Sequence, residues 1–228
     1  MRVLGIDTAT RQASVALWEN GVAVARARAD QPKQHAERLL SLVQEAIASA
    51  GWPKGSLDLV ACGTGPGSFT GVRVGIATAK GISLGLARPI VAVGSLEAMA
   101  RSFRWDAEVL VAMIDAKKGE VFLAAYDRGE TPLLGPTHLP AGRVAAELLR
   151  FAGKKAFALG EIAADVDVGP IAVHRDPATD LPDAATIARI GAERFSARGA
   201  SSLHDLEPAY LRPPDITSPR NAGHGGSL

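Results

Sequence analysis

The sequence has a single cysteine in 228 residues, almost no net charge and few aromatic side chains. One cysteine excludes an internal disulfide, so the chain shows no need of an oxidising compartment. A formal net charge of +1 argues against a standing attraction to nucleic acid or to an acidic membrane surface. No stretch approaches the roughly 18 uninterrupted apolar residues of a membrane span, and no signal-peptide pattern opens the chain. These absences predict a cytoplasmic protein without membrane contact.

The remaining composition is that of an ordinary α/β protein. Hydrophobic residues make up 47% of the chain and charged residues 21%. The chain is long enough to bury a sizeable core, either as one large domain or as two small ones.

The first hundred residues predict the element order β-β-β-α-β-α-β-α. The dipeptide Asn20-Gly21 separates two apolar runs and predicts a hairpin, because both positions accept a positive φ. Asp7 lies where the first strand turns back. Helical spacing of apolar residues predicts a helix over 33–50. Antiparallel strands followed by strand–helix alternation predict a mixed sheet with helices on its faces.

The second half repeats this pattern more weakly. Its first predicted strand also ends in an aspartate, Asp115. We therefore predict two related lobes, 1–103 and 104–212, the second truncated and including an amphipathic helix over 183–197. Residues 213–228 lack a periodic apolar face and are predicted to be mobile unless a partner orders them.

A glycine-rich loop, GTGPGSFTG, lies between a buried strand and a long helix. Strand, glycine turn and helix together can point free backbone N–H groups at an anion. The loop lacks the Gly-Lys-Ser/Thr of a Walker motif and contains no nucleophile elbow. Two roles of the loop remain open: it binds a phosphate, or its glycines only allow a tight turn. The residues that could form a weak nucleotide site are Asp7, Thr8, Gly65, Gly67 and Ser68.

Each of the two strand-ending aspartates has two readings. A carboxylate at Asp7 or Asp115 could hold a metal–phosphate complex in a cleft between the lobes. Alternatively, each aspartate makes a local turn with its own backbone.

Small residues recur every four positions along the helix that follows the loop. Gly67, Gly71, Gly75 and Ala79 form one series, and Ala77, Gly81 and Gly85 form another. A glycine inside a helix costs about 1 kcal/mol relative to alanine, so several of them indicate a very close neighbour. That neighbour is the helix's own sheet, a partner helix, or both.

The histidines do not suggest a metal site. No two of the five lie three to five residues apart, and only one cysteine is present to join them. No Ser/His/Asp set or carboxylate pair can be assembled from spacing either. We predict neither catalytic residues nor a metal site.

Several segments, in order, resemble the TsaB (YeaZ) family, the bacterial accessory subunit for threonylcarbamoyladenosine formation in tRNA. They are LGIDTAT, HAERLL, GTGPGSFTGVRVGIATAKGISLGL, IDAKKGEVFLAAYD and LEPAYLR, and they cover residues 1 to about 212. The resemblance implies a duplicated actin/hexokinase/Hsp70-like (ASKHA) fold. It also implies a TsaD-like catalytic partner, a TsaE-like ATPase, a homodimer when alone, and tRNA contact only through the complex. No cofactor is expected for the isolated chain, with weak ATP or ADP binding with Mg reserved for the assembled complex.

One segment departs from the catalytic relatives, which carry a metal-binding His-x-x-x-His after the strand that follows the glycine-rich helix. The aligned segment reads VAVGSLEAMA, with Ser95 and Met99 at the two histidine positions. A hydroxyl and a thioether do not replace two imidazoles at such a metal. The resemblance therefore implies neither transferase nor metalloprotease activity in this chain.

We predict a non-catalytic scaffold whose first two long helices dock on the partner. The predicted interface residues are His35, Leu39, Leu42, Val43, Thr70, Gly71, Val72, Val74 and Gly75. A bulky residue at Gly75 is expected to abolish co-purification while the monomer stays folded. The alternative is an ATP-dependent phosphotransferase or ATPase of the ASKHA class.

Overall fold

The computed structural model describes residues 1–30, 35–53, 55–102, 106–204 and 206–212, with the side chains of residues 35–37 left out. Its first sheet has five strands in the order β3-β2-β1-β4-β5. The strands are β1 (Arg2–Asp7), β2 (Ala13–Glu19), β3 (Val22–Ala29), β4 (Leu59–Gly63) and β5 (Ile90–Val93). The first three pair antiparallel, and β4 and β5 add in parallel, so the sheet is mixed as predicted.

A second five-stranded sheet repeats this topology, with the order β8-β7-β6-β9-β10. Its strands are β6 (Val109–Lys117), β7 (Glu120–Asp127), β8 (Pro132–Pro140), β9 (Ala156–Leu159) and β10 (Ala172–His174). Again three antiparallel strands are followed by two parallel ones. The predicted fold class, a duplicated lobe with the second copy truncated, is confirmed.

The Asn20-Gly21 turn forms as predicted. Both residues have positive φ, 50° and 95°, and they join β2 to β3.

Five α-helices lie in the described part of the chain. They are α1 (His35–Ser49), α2 (Phe69–Leu86), α3 (Ser95–Ala100), α4 (Val144–Leu148) and α5 (Ala184–Arg198). The hydroxyl of Ser68 caps α2 by accepting a hydrogen bond from Gly71 N, and Ala87 ends the helix in the left-handed conformation. None of these helices is both long and apolar enough to cross a membrane.

Both faces of the first sheet are covered. Side chains of α1 and α2 pack with Leu4, Ile6 and Val60 on one face, and α5 packs with Val3 and Leu59 on the other. Central strands covered on both sides become continuously apolar, which explains why β4 reads as a short buried run.

The placement of α5 differs from the sequence prediction. The chain order assigned this helix to the second lobe, but it packs against β1, β2, β4 and β5 of the first sheet. The approach is close, because a Cβ added at Gly5 would lie 2.0 Å from Ala184 O. An amphipathic pattern shows that a helix has a buried face, and it does not show which sheet that face covers. The predicted tail, 213–228, lies outside the described residues.

Candidate functional site

A cleft of about 860 Å³ lies between the two sheets. Its walls are the β1–β2 turn, the start of α2, the β6–β7 turn, residues 161–165, and the segment 208–212. The cleft is large enough for a small-molecule ligand. It lies where the two hairpin tips were expected to face one another.

Asp7 does not line this cleft. Its side chain is buried, with Oδ1 accepting from Ala9 N at 2.9 Å and Oδ2 accepting from Ser95 Oγ at 2.6 Å. A Cβ added at Gly63 would lie only 2.0 Å from Oδ2, so the carboxyl is enclosed on that side too. Burial raises the pKa of Asp7 to about 6, although the hydrogen bonds from Ser95 and Ala9 lower it. The structure favours the local-turn reading of Asp7 over the metal–phosphate reading.

The glycine-rich loop packs tightly on the β1–β2 turn. The Ser68 amide donates to Ala9 O at 2.7 Å, and the Thr8 hydroxyl donates to Gly71 O at 2.7 Å. A Cβ at Gly67 would lie 2.1 Å from Ala9 O. Close backbone approach therefore accounts for this glycine.

The five predicted nucleotide residues separate into two groups. Gly67 and Ser68 line the cleft. Asp7 and Thr8 are buried and hydrogen-bonded inside the lobe, and Gly65 is a buried turn residue with a φ of +87°. Only the cleft-lining pair has the placement that a ligand would need, so the set as predicted does not form one open site.

The second aspartate, Asp115, does line the cleft. Its carboxylate accepts from the Lys117 backbone N–H at 2.7 Å and from Lys117 Nζ at 2.6 Å. Strand β6 continues to Lys117 rather than stopping at the aspartate. Across the cleft, the Arg11 guanidinium donates from Nε to both carboxylate oxygens of Glu161, at 2.7 and 2.9 Å. This ion pair joins the β1–β2 turn to the second lobe.

Most of the predicted interface residues lie in the interior of the first lobe. Leu39, Leu42, Val43 and Val72 are at most 5% exposed and belong to its core. Gly71 and Gly75 are buried as well, whereas Val74 is half-buried and Thr70 exposed. The side chain of His35 lies outside the described set. The apolar faces of α1 and α2 are already used by the sheet, so these core side chains are not exposed on the surface of the chain, and their contact with a partner stays a prediction.

The predicted effect of a bulky residue at Gly75 also needs correction. A Cβ at this position would lie 2.3 Å from Thr8 Oγ1, within the lobe itself. The substitution would disturb the fold, so its effect on a partner could not be read separately.

A set of exposed residues lies on the opposite side of α2, which we call the outward face, and apart from Thr70 none of them was in the predicted interface. They are all solvent-exposed and comprise Phe69, Thr70, Arg73, Ala77, Gly81, Leu84 and Gly85. Leu84 is 66% exposed, and a Cβ at Gly81 or Gly85 would meet no atom within 4 Å. The second series of small residues, Ala77, Gly81 and Gly85, was the sequence signal for this face.

Ser95 and Met99, which align with the two histidines of the catalytic relatives, are fully buried. Ser95 donates to Asp7 and accepts from Gly65 N at 3.2 Å. Met99 packs in the core between α3 and the second sheet. Both positions therefore serve packing and internal hydrogen bonding. Among the described residues, no cluster of three or more His, Cys, Asp or Glu could hold a metal ion.

The sequence is similar to curated proteins of tRNA modification. The family model described as "TsaD: tRNA N6-adenosine threonylcarbamoyltransferase" matches residues 29–192. The tRNA threonylcarbamoyladenosine biosynthesis protein TsaB of Escherichia coli K12 is 34% identical over 221 residues, covering 93% of this chain and 95% of the relative. The chain belongs to the TsaB (YeaZ) family.

Solved structures agree with this TsaB assignment. YeaZ from Pseudomonas aeruginosa has 30% identity and a TM-score of 0.77, covering 92% of this chain and 99% of its own. A second Pseudomonas aeruginosa structure, an uncharacterized protein with similarity to peptidase YEAZ, has 31% identity, a TM-score of 0.79 and the same coverage. The ROK hexokinase of Thermus thermophilus, at 12% identity and a TM-score of 0.50, covers 86% of this chain and 100% of its own. That likeness shows the shared ASKHA fold alone.

Proposed function

We propose that this chain takes part in threonylcarbamoyladenosine formation in tRNA as a non-catalytic subunit that binds a TsaD-like catalytic subunit. The support is its similarity to a protein named for that biosynthesis, over almost the full length of both chains. The expected assembly also includes a TsaE-like ATPase and reaches tRNA through the complex. The chain alone is expected to form a homodimer and to work in the cytoplasm.

The observation that carries the non-catalytic assignment is the enclosed Asp7–Ser95 pair. The carboxyl of Asp7 is buried and held by Ser95 and Ala9, so it does not reach the cleft where a substrate would bind. Ser95 and Met99 supply neither imidazole of the catalytic relatives' metal site. We propose no cofactor for the isolated chain. Weak binding of ATP or ADP with Mg is proposed for the assembled complex alone.

The outward face of α2 is the docking surface that we propose for the TsaD-like subunit. Leu84 exposes an apolar side chain there, and Leu40 of α1 is also 55% exposed. Gly81 and Gly85 add no side chain, so a partner helix can approach the backbone closely. Close packing around exposed apolar groups is typical of the centre of a protein interface.

The decisive experiment places a long charged side chain on this face. Gly81→Arg should retain the fold, because the position is open and arginine has a better helix propensity than glycine. The variant should lose co-purification with the TsaD-like subunit and lose stimulation of tRNA modification in a reconstituted reaction. The matched control is Gly142→Arg, an equally open glycine on the second lobe, which should retain both.

Retention of the complex by Gly81→Arg, with an unchanged melting temperature, would show that this face is not the interface. The competing ATPase hypothesis is tested by calorimetry of the isolated chain with ATP and Mg. Tight binding accompanied by turnover would contradict the scaffold proposal.

A further inference from the structure

Three side chains from two distant segments form a cluster beside the cleft, which two of them, Phe69 and Tyr210, line. Phe69 and Arg73 belong to the first turns of α2, and Tyr210 belongs to the segment that follows α5. We call Phe69, Arg73 and Tyr210 the aromatic–arginine cluster. The two rings lie 5.6 Å apart, and each side chain of the pair is 49% exposed. The cluster joins two segments that the sequence singled out separately, GPGSFTGVRVG and LEPAYLR.

The segment carrying Tyr210 is fixed on both lobes. Ala209 N donates to Thr64 O at 2.8 Å, and Leu206 packs into the core of the first lobe. On the other side, Arg212 donates to Ala116 O at 3.2 Å. These contacts on both sides of Tyr210 hold its backbone, and with it the phenol, in a defined position.

The cluster orients the Arg73 guanidinium. The guanidinium carbon lies 3.6 Å from the centre of the Phe69 ring and 5.5 Å from that of Tyr210, within the range of cation–π attraction. Its Nε donates to the Tyr210 phenol oxygen at 2.5 Å. A guanidinium has five N–H donors in a rigid fork, and among the described residues only the Nε–H of Arg73 is used in a hydrogen bond, so the N–H groups of the two terminal nitrogens remain for another acceptor. That terminal edge matches a carboxylate with two parallel hydrogen bonds.

Within the part of the chain that the structure describes, Arg73 is paired with no carboxylate. In the described ranges, its interactions are with Phe69 and Tyr210, and neither carries a negative charge. The exposed arginines Arg11 and Arg28, by contrast, pair with Glu161 and Asp183. An ordered, unpaired guanidinium between two half-exposed rings has the composition of a binding hot spot, where arginine and aromatic residues are enriched.

The surrounding charge favours a single carboxylate over a polyanion. Binding nucleic acid requires several phosphates to be neutralised at once. The cleft beside the cluster is lined by equal numbers of basic and acidic side chains in the described chain: Arg11, Lys117, Lys118 and Arg212 against Asp115, Glu161, Asp165 and Asp180. A phosphate backbone would meet those carboxylates, whereas one partner side chain can reach Arg73 alone.

We propose that the aromatic–arginine cluster is a receptor for an aspartate or glutamate of the protein partner, with the two rings packing against the apolar part of the same segment. The inference rests on the proposed function, since the partner is the TsaD-like subunit. Arg73 and Gly81 both lie on the outward face of α2. The proposal adds a charged contact, made by Arg73, at the end of that face nearest the cleft. It also makes Tyr210, distant in sequence, a positioning residue for that contact.

The test compares variants of the full chain in calorimetric titrations with the TsaD-like subunit. Arg73→Gln should weaken binding by about 10-fold or more, because a charge-assisted bidentate pair is lost. Arg73→Lys should not restore it fully, because an ammonium has neither the fork nor the stacking plane. Tyr210→Phe keeps the ring and removes the acceptor for Nε, so a smaller loss of a few-fold is expected. Arg143→Gln, an exposed arginine on the second lobe, is the matched control and should bind normally.

The result at Arg73 can be separated from the result at Gly81. Full affinity in Arg73→Gln, while Gly81→Arg fails to bind, would overturn the carboxylate receptor and leave the proposed function standing. Normal binding by both variants would overturn both. Loss of tRNA retention by Arg73→Gln at unchanged partner affinity would assign the cluster to a phosphate and would also overturn this proposal. Weaker salt dependence of partner binding in Arg73→Gln than in the unmodified chain is the supporting outcome.

Discussion

The two lobes have the same strand order and pairing but very different helices. The first sheet is covered by α1, α2 and α5, which have 15, 18 and 15 residues. The corresponding region after β8 holds the five-residue α4 between two three-residue 3-10 segments. The two lobes therefore share their sheet topology but not their helices. The difference leaves long helical faces on the first lobe alone, and the proposed docking face is one of them.

The two aspartates that were predicted to end the first strand of each lobe show the same contrast within the shared topology. Asp7 is sealed inside the first lobe by Ser95 and Gly63, whereas Asp115 lies on the wall of the cleft beside Lys117. The tight helix packing of the first lobe encloses the polar group at its hairpin tip. The more lightly covered second lobe leaves the equivalent carboxylate at the surface.

The largest expected effect tests whether the first sheet depends on close contact with α5. Gly5→Ala places a Cβ 2.0 Å from Ala184 O, a backbone atom that cannot move without the helix. We expect a loss of about 3 kcal/mol in the free energy of unfolding, measured by urea denaturation. Gly135→Ala in β8 meets no atom within 4 Å and should change stability by less than about 0.5 kcal/mol. Equal losses of unfolding free energy in Gly5→Ala and Gly135→Ala would show that the first sheet is not packed more closely than the second.

The next prediction concerns the enclosed aspartate of the first lobe, Asp7, and the pH dependence of the free energy of unfolding. The pKa of Asp7 rises from 3.8 to about 6 on folding, chiefly through burial, so the folded state holds a proton that the unfolded state has lost. The stability linked to Asp7 is therefore complete below pH 3.8 and is lost as pH rises through about 6. Its full size is about 3 kcal/mol, from the shift of about two pKa units.

Asp7→Asn should flatten that part of the stability profile, measured by urea denaturation at several pH values. A profile that still falls by the same amount in Asp7→Asn would assign the effect to another group.

The smallest effects compare the two sides of α2 with the same substitution. Gly75→Ala brings a Cβ to 2.3 Å from Thr8 Oγ1 and should cost about 1–3 kcal/mol. Gly81→Ala meets open space and should stabilise the chain by up to about 1 kcal/mol, because alanine favours the helix. The melting temperatures of the two variants show directly whether each substitution stabilises or destabilises the chain. A gain at Gly75 would mean that the inner side of α2 packs more loosely than described.

Parts of the candidate site were predictable because their signals are local. The glycine-rich turn and the aspartate that ends β1 follow from short-range residue patterns. The aromatic–arginine cluster was not predictable in this way. Arg73 and Tyr210 are 137 residues apart, and no periodicity connects them.

The sequence by itself determined the element order, the hairpin at Asn20-Gly21 and the duplicated α/β fold, because these depend on hydrophobic periodicity and turn chemistry. Its motifs also identified the family. Only the tertiary structure decided which side of α2 is open, that Asp7 is enclosed, and that α5 crosses to the first sheet. Burial and close approach are relations between segments distant in the chain. A pattern of small or apolar residues shows that a contact surface exists, and the packed fold selects what occupies it.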